Sequence, residues 1–408
     1  MLSQSRLRLI DAIRLTAPKA HSHVYEDIAH LRAELEHPLR VGVARIDGIG
    51  DWLLTLPLVL ALQGSDHVDS VTLLSSPVHR PLLAKREGVG FEAIDLWAAH
   101  HTPWPHGSLG KILAISALGQ RRAYRMGRLF KGRFDLLVLP RWDTDRGQNL
   151  RFFAAGVGVP VAGHDPSLQP QASPKERREG RLLSIIARDD REHAHESERV
   201  ATMVEALGLP LPLDDGGTRA FFGLKKVRDS RPGPRRVFIH TSAHDDFRQW
   251  PLESWMQLIR SLLHVEGVEI VLVGGPGDWS AHQPLVAVNP TRVRSVAGEV
   301  GLDSLPAQVD EAALFIGNDS GPAHIAATLG VPTLVISCFP ERDDPGHPNS
   351  PERFGVRSTG GSAVLRPPAQ SAAFDTLDRE GRRLMMRRVT PHAVEEAAYE
   401  LTAWGVTQ

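Results

Sequence analysis

Apolar residues along the chain gather into short runs separated by amphipathic stretches of helical length. "VGVARI" (41–46), "VTLL" (71–74), "FEAIDLW" (91–97) and "FDLLVLP" (134–140) read as strands, and "DWLLTLPLVLALQ" (51–63) reads as a helix. Short apolar strands alternating with helices predict a parallel sheet covered on both faces. Between 164 and 234 the pattern weakens. "HDPSLQPQASPKERREG" and "DSRPGPRR" carry the turn residues and charges of linkers around a helix at 195–207. The alternation restarts with "RVFIHTS", "VEIVLVGG", "ALFIGN" and "PTLVIS". An α/β chain with two doubly wound domains, 39–215 and 216–390, follows.

Two helical additions flank these domains. Residues 1–38 form an N-terminal extension in which Val24, Tyr25, Ile28, Leu31 and Leu35 recur at helical spacing. In 391–408, Thr390 is placed to cap a helix whose first turn holds Pro391. This helix is expected to pack back on the N-terminal domain. Two facing domains of this kind leave a cleft lined by the carboxyl ends of both sheets, where ligands bind.

Composition narrows the function classes. The chain has 408 residues, 42% hydrophobic and 23% charged, as a soluble globular protein has. Its 47 basic and 48 acidic residues nearly cancel, so no global field calls for nucleic acid. A single cysteine, Cys338, rules out an internal disulfide framework and fits a reducing cytosol. No apolar run reaches the ~18 residues of a membrane span. Asp11 and Arg14 interrupt any signal-peptide core. A cytoplasmic location is expected.

Four segments carry candidate chemistry. In "FIGNDSGPAHIAATLG" a strand leaves through Asp319, Ser320, Gly321 and Pro322 into a helix that holds His324 one turn in. Unpaired amides at such a helix start suit a phosphate or diphosphate. The alternative is an ordinary helix capped by Asp319 or Ser320. His324 is either functional or a packed structural histidine. In "RIDGIGDWLLTLP" Gly48 and Gly50 shape a tight loop and Asp51 opens a helix. The third glycine of the dinucleotide fingerprint is missing. Asp51 is either a cap or a base that takes a proton from a hydroxyl, with Asp47 as the rival. "HTSAHDDFRQWPLESW" carries Arg248, which could clamp a pyrophosphate or sit in solvent. In "VLVGGPGD" the glycines permit close approach, and Asp278 could accept ribose hydroxyls.

In this order, "RIDGIGDWLLTLP", "RQWPLESW", "VGGPGD" and "GNDSGPAHIAATLGVP" resemble glycosyltransferase family 9, the lipopolysaccharide heptosyltransferases, across residues 40–340. The resemblance implies a GT-B fold, with the nucleotide-sugar held mainly by the C-terminal domain and the acceptor by the N-terminal one. It implies Asp51 as catalytic base and Arg248 on the pyrophosphate. Ser320, Gly321 and Pro322 would form the phosphate-facing helix start, with Asp319 near the donor sugar, His324 in the same motif and Asp278 on the ribose. ADP-heptose would be the donor and a lipopolysaccharide-core glycan or glycolipid the acceptor, with inversion and without a metal. A catalytically silent nucleotide-sugar module and an epimerase are the alternatives.

Two remaining features stand outside this set. His193 and His195, two apart in "EHAHESE", would point opposite ways on a helix, so no metal site is predicted. "RRAYRMGRLFKGR" (121–133) has six positive charges and no acidic residue. It reads as a solvated helix face or as a contact with an anionic acceptor or the inner membrane surface.

Overall fold

The computed structural model describes residues 23–84, 86–96, 117–142, 149–169, 182–212, 215–225, 235–347, 350–370 and 372–404. Residues 1–22 of the expected extension, most of the first linker and the last four residues lie outside these. The chain divides into two compact units. The first is Met1–Asp47, Thr55–Glu192 and Glu196–Leu213; the second is Gly48–Leu54, His193–His195 and Asp214–Gln408.

In the first unit, β1 (Leu39–Ala44), β2 (Val68–Ser75), β3 (Val89–Ala93), β4 (Leu136–Leu139), β5 (Val161–His164) and β6 (Ile185–Ala187) form one parallel sheet in the order β3-β2-β1-β4-β5-β6. β4 is buried at every position and β1 at all but one, as strands covered on both faces must be. Beside them run α1 (Ile28–Leu35), α2 (Ile49–Gln63), α3 (Ala117–Arg128), α4 (Asn149–Val157) and α5 (Glu196–Ala206). Along and just before α1 the expected stripe is narrower than its spacing suggests. Tyr25, Ile28 and Leu31 are buried, whereas Val24 and Leu35 are exposed. α3 and α4 meet glycine to glycine. A Cβ on Gly127 would lie 2.1 Å from the Phe153 carbonyl oxygen, and one on Gly156 2.1 Å from that of Tyr124. Only glycine allows backbones this close.

The second unit repeats the plan. β7 (Arg235–His240), β8 (Val268–Val273), β9 (Val293–Ser295), β10 (Leu314–Asn318), β11 (Thr333–Ile336) and β12 (Ser362–Leu365) are parallel, ordered β12-β11-β10-β7-β8-β9. Counted from its own first strand, this is the order of the first sheet. Its helices include α6 (Leu252–Leu262), α7 (Trp279–Val286), α8 (Gly321–Thr328), α9 (Arg379–Arg387) and α10 (Pro391–Thr402). Thr390 does cap α10, its Oγ1 accepting the Ala393 N–H at 3.2 Å. Val394, Ala397 and Ala398 are buried in the second unit's core, against α6 and the edge of its sheet.

Candidate functional site

β7 and β10 are neighbours, with Gly317 opposite His240, and the sheet's strand order reverses between them. Segments that follow the two strands therefore emerge side by side at the carboxyl edge, the switch point where open parallel sheets hold ligands. Beyond β10, Ser320 takes the N-cap position of α8 with extended backbone, yet makes no capping bond with its side chain. Its hydroxyl lies 3.0 Å from the Asn318 carbonyl oxygen and 3.0 Å from His240 Nδ1. The Asp319 carboxylate is also engaged elsewhere: Arg248 Nη2 donates to its Oδ2 at 2.6 Å and to its backbone oxygen at 3.1 Å. The ordinary capped helix is thus not what forms here. Ala323 and His324 turn their amides back to the Ser320 oxygen. The amides of Ser320 and Gly321 have no partner among the described residues, and Pro322 has no N–H to place. Two unpaired donors at the positive end of a helix remain, both on half-exposed residues.

Arg248 is held rather than solvated. Two residues on, Trp250 donates its amide to Asn318 Oδ1 at 3.1 Å and its indole N–H to the Val389 oxygen at 2.9 Å. Its ring stands edge-on to Trp255 at 4.9 Å. The Arg248 side chain is only 20% exposed. Burial works against its charge, but the Asp319 carboxylate outweighs that and holds the guanidinium above its usual value. Both bonds to Asp319 run through Nη2; Nε and Nη1 make none among the described residues. Part of a planar donor fork therefore stands beside the two unpaired amides.

Beneath them lies a polar network that the sequence did not reveal. His240 is buried, and burial lowers its pKa to about 4, with Asp278 opposing and His282 adding. A neutral ring carries one N–H. Ser320 has one hydroxyl proton, and the Asn318 oxygen can only accept it. His240 Nδ1–H then donates to Ser320 Oγ, and Nε2 accepts from Ser242 Oγ at 3.3 Å. Asn318 bridges the same layer through Nδ2 to the Thr241 oxygen at 2.6 Å. Thr241 Oγ1 meets His282 Nε2 at 3.2 Å, and His282 Nδ1 meets Ser295 Oγ at 2.8 Å. In sequence, the only signal was a histidine ending a buried strand in "FIHTS".

The glycine loop comes to the same place. Gly48–Leu54 clusters with the second unit. A Cβ on Gly50 would lie 2.7 Å from His324 Cδ2, and one on Gly321 3.2 Å from Ile49 Cβ. The first turns of α2 and α8 are therefore in contact, and Asp51 sits on the first of them. Its Oδ2 accepts the Gly48 N–H at 3.0 Å, which is half of a capping box. A Cβ on Gly48 would press on that oxygen at 3.2 Å. Asp47, the rival base, has both oxygens bound by guanidinium groups, Oδ2 by Arg45 at 3.1 Å and Oδ1 by Arg141.

The remaining candidates take structural positions. His324 is buried with Nε2 4.0 Å from Asp319 Oδ1, and its pKa is lowered, by burial first. Asp278 Oδ2 accepts the Gly275 N–H at 2.8 Å and so closes its own glycine turn. His193 and His195 precede α5 instead of lying on a helix, and His195 Nε2 bonds the Gly355 oxygen at 2.8 Å. Among the described residues no group of three side chains could hold a metal ion. No helix among them is long and apolar enough to cross a membrane.

Residues 191–343 match the family model of glycosyltransferase family 9 (heptosyltransferase). That stretch holds Arg248, Asp278 and Asp319–His324; Gly48–Asp51 fall before it. Lipopolysaccharide heptosyltransferase 3 of Escherichia coli is 36% identical over 118 residues, 27% of this chain and 33% of that protein. The chain thus spans about a third of the length of the curated relatives it matches. In fold, the solved structure of E. coli heptosyltransferase WaaC with ADP aligns with TM-score 0.63 at 17% identity, covering 89% of this chain and 99% of that one. A glycosyltransferase family 9 structure from Veillonella parvula aligns with TM-score 0.58 at 17% identity, covering 90% and 98%. The chain thus carries a segment, residues 191–343, that matches glycosyltransferase family 9, and it shares the two-domain α/β fold of the solved heptosyltransferase structures.

Proposed function

We propose that the protein is an inverting glycosyltransferase that moves a sugar from a nucleoside diphosphate, with ADP-heptose as donor and a lipopolysaccharide-core glycan or related glycolipid as acceptor. One observation carries the reading: the unpaired Ser320 and Gly321 amides beside the held guanidinium of Arg248, inside the segment that matches family 9. As the glycosidic bond to the diphosphate breaks, negative charge builds on its terminal phosphate. Fixed donors at that point stabilise it more than they stabilise the bound donor. Asp51 takes the proton of the acceptor hydroxyl as that oxygen attacks the anomeric carbon from the opposite face. Asp319 orients Arg248, and Asp278 shapes the glycine turn on the nucleoside side. The residues named need no metal for these steps. The relatives' names supply the heptose and the lipopolysaccharide, and a cytoplasmic place of action goes with that donor.

The test is transfer from ADP-heptose to a heptose-deficient lipopolysaccharide core, followed by mass spectrometry. A mass gain of one heptose is expected. The Asp51→Asn variant should bind ADP as the wild type does while turnover falls ~100-fold or more. Unchanged turnover in that variant would return Asp51 to a purely capping role.

A further inference from the structure

The strongest surface feature outside the site lies on α3. Arg121, Arg122, Arg125 and Arg128 are exposed there, and Leu129 and Lys131 follow directly. At 100° per residue, Arg128, Arg121, Arg125, Leu129 and Arg122 fall on one continuous arc. The opposite arc, with Ala123 and Gly127, is buried against α4 through the glycine contact. Arg122 pairs with Asp95 at 3.2 Å. Arg121, Arg125, Arg128 and Lys131 have no acidic partner among the described residues. Amid these charges Leu129 is 77% exposed. In sequence, no Asp or Glu occurs between Asp95 and Asp135, although the chain has 48 acidic residues in 408.

A second arginine-rich helix shows what this surface is not. On α9, Arg379 pairs with Asp246 at 2.8 Å and Arg382 with Asp375 at 3.5 Å; Arg383 lies 3.7 Å from Asp246. Its charges are largely answered from within the chain. Those of α3 are not.

We propose that the α3 face docks on a lipid bilayer bearing anionic headgroups, with its unpaired cations at the headgroups and Leu129 at the acyl boundary. Charge complementarity selects an anionic surface. The exposed leucine selects a bilayer over a soluble polyanion, because only a bilayer offers apolar depth beside the charges. The proposal does not rest on the glycosyltransferase reading, since it uses no residue of that site.

Flotation of the full chain with vesicles tests it, at roughly 0.1 M salt, comparing pure phosphatidylcholine with phosphatidylcholine containing phosphatidylglycerol. Binding to the anionic vesicles alone is expected. The triple variant Arg121→Gln, Arg125→Gln, Arg128→Gln should lose on the order of 100-fold in vesicle affinity. Leu129→Ser should lose several-fold with every charge intact. Thermal melting of both variants establishes that they fold. A control with Arg260→Gln, Arg294→Gln and Arg387→Gln, three exposed arginines elsewhere, should bind as the wild type does. No anionic-vesicle binding by the wild type, equal loss in the control, or full binding by the folded triple variant would each overturn the proposal. So would a soluble sulfated polysaccharide bound tightly by a protein that ignores vesicles.

Discussion

Ser320 keeps its hydroxyl away from the helix it starts because His240 and the Asn318 oxygen engage it. An unengaged serine at this position would turn to the amides of α8 and cap them, for about 1 kcal/mol. That cap would compete with a bound diphosphate. His240→Phe is therefore expected to weaken ADP binding about five-fold, and adding Ser320→Ala should restore it, because no hydroxyl is left to compete. A calorimetric titration of both variants decides; a double variant as weak as His240→Phe would mean that the histidine acts in some other way. Asp319, Ser320, Gly321 and Pro322 were legible in the sequence because the signal is local, a buried strand running straight into turn residues and a helix. His240 and Asn318 were not. Their partnership comes from the pairing of β7 with β10, and the two residues are far apart in the chain.

The contact between the first turns of α2 and α8 depends on glycine. A methyl group at Gly50 would meet the buried His324 ring at 2.7 Å, where nothing can yield without moving a helix. Gly50→Ala should lower the melting temperature by several degrees, an overpacking cost of about 1–3 kcal/mol, and should reduce turnover together with it. Wild-type melting and turnover would show that the two turns are not pressed together. Long apolar strands and the helices between them were readable from their periods. Two of the four edge strands were too short for that: β6 and β9 have three residues each, too few to display alternation. The destination of α10 was also hidden, since Val394, Ala397 and Ala398 specify a buried stripe but not the surface that buries it.

At the scale of the whole molecule, burial lowers the pKa of four histidines among the described residues, His164, His240, His282 and His324. His164 is moved to about 3, by burial first and by nearby Arg199 and Arg45, with Asp189 opposing. An unfolded histidine binds its proton near pH 6.5, so below that pH the unfolded state takes up protons that the folded state refuses. Stability is thus full above about pH 6.5 and falls as the pH drops toward the folded value. Each such group contributes a slope of about 1.4 kcal/mol per pH unit. His164→Leu should flatten the decline in melting temperature between pH 6.5 and 4.5; an unchanged slope would mean that His164 already accepts a proton in the folded state. The central claim is that the start of α8 and Arg248 together hold a diphosphate, and calorimetric titration of ADP into the wild type and Arg248→Ala tests it most directly. Binding is expected in the wild type, weakened in the variant by about 1.5–3 kcal/mol, the worth of a hydrogen bond to a charged group. Equal dissociation constants for the two proteins would contradict it.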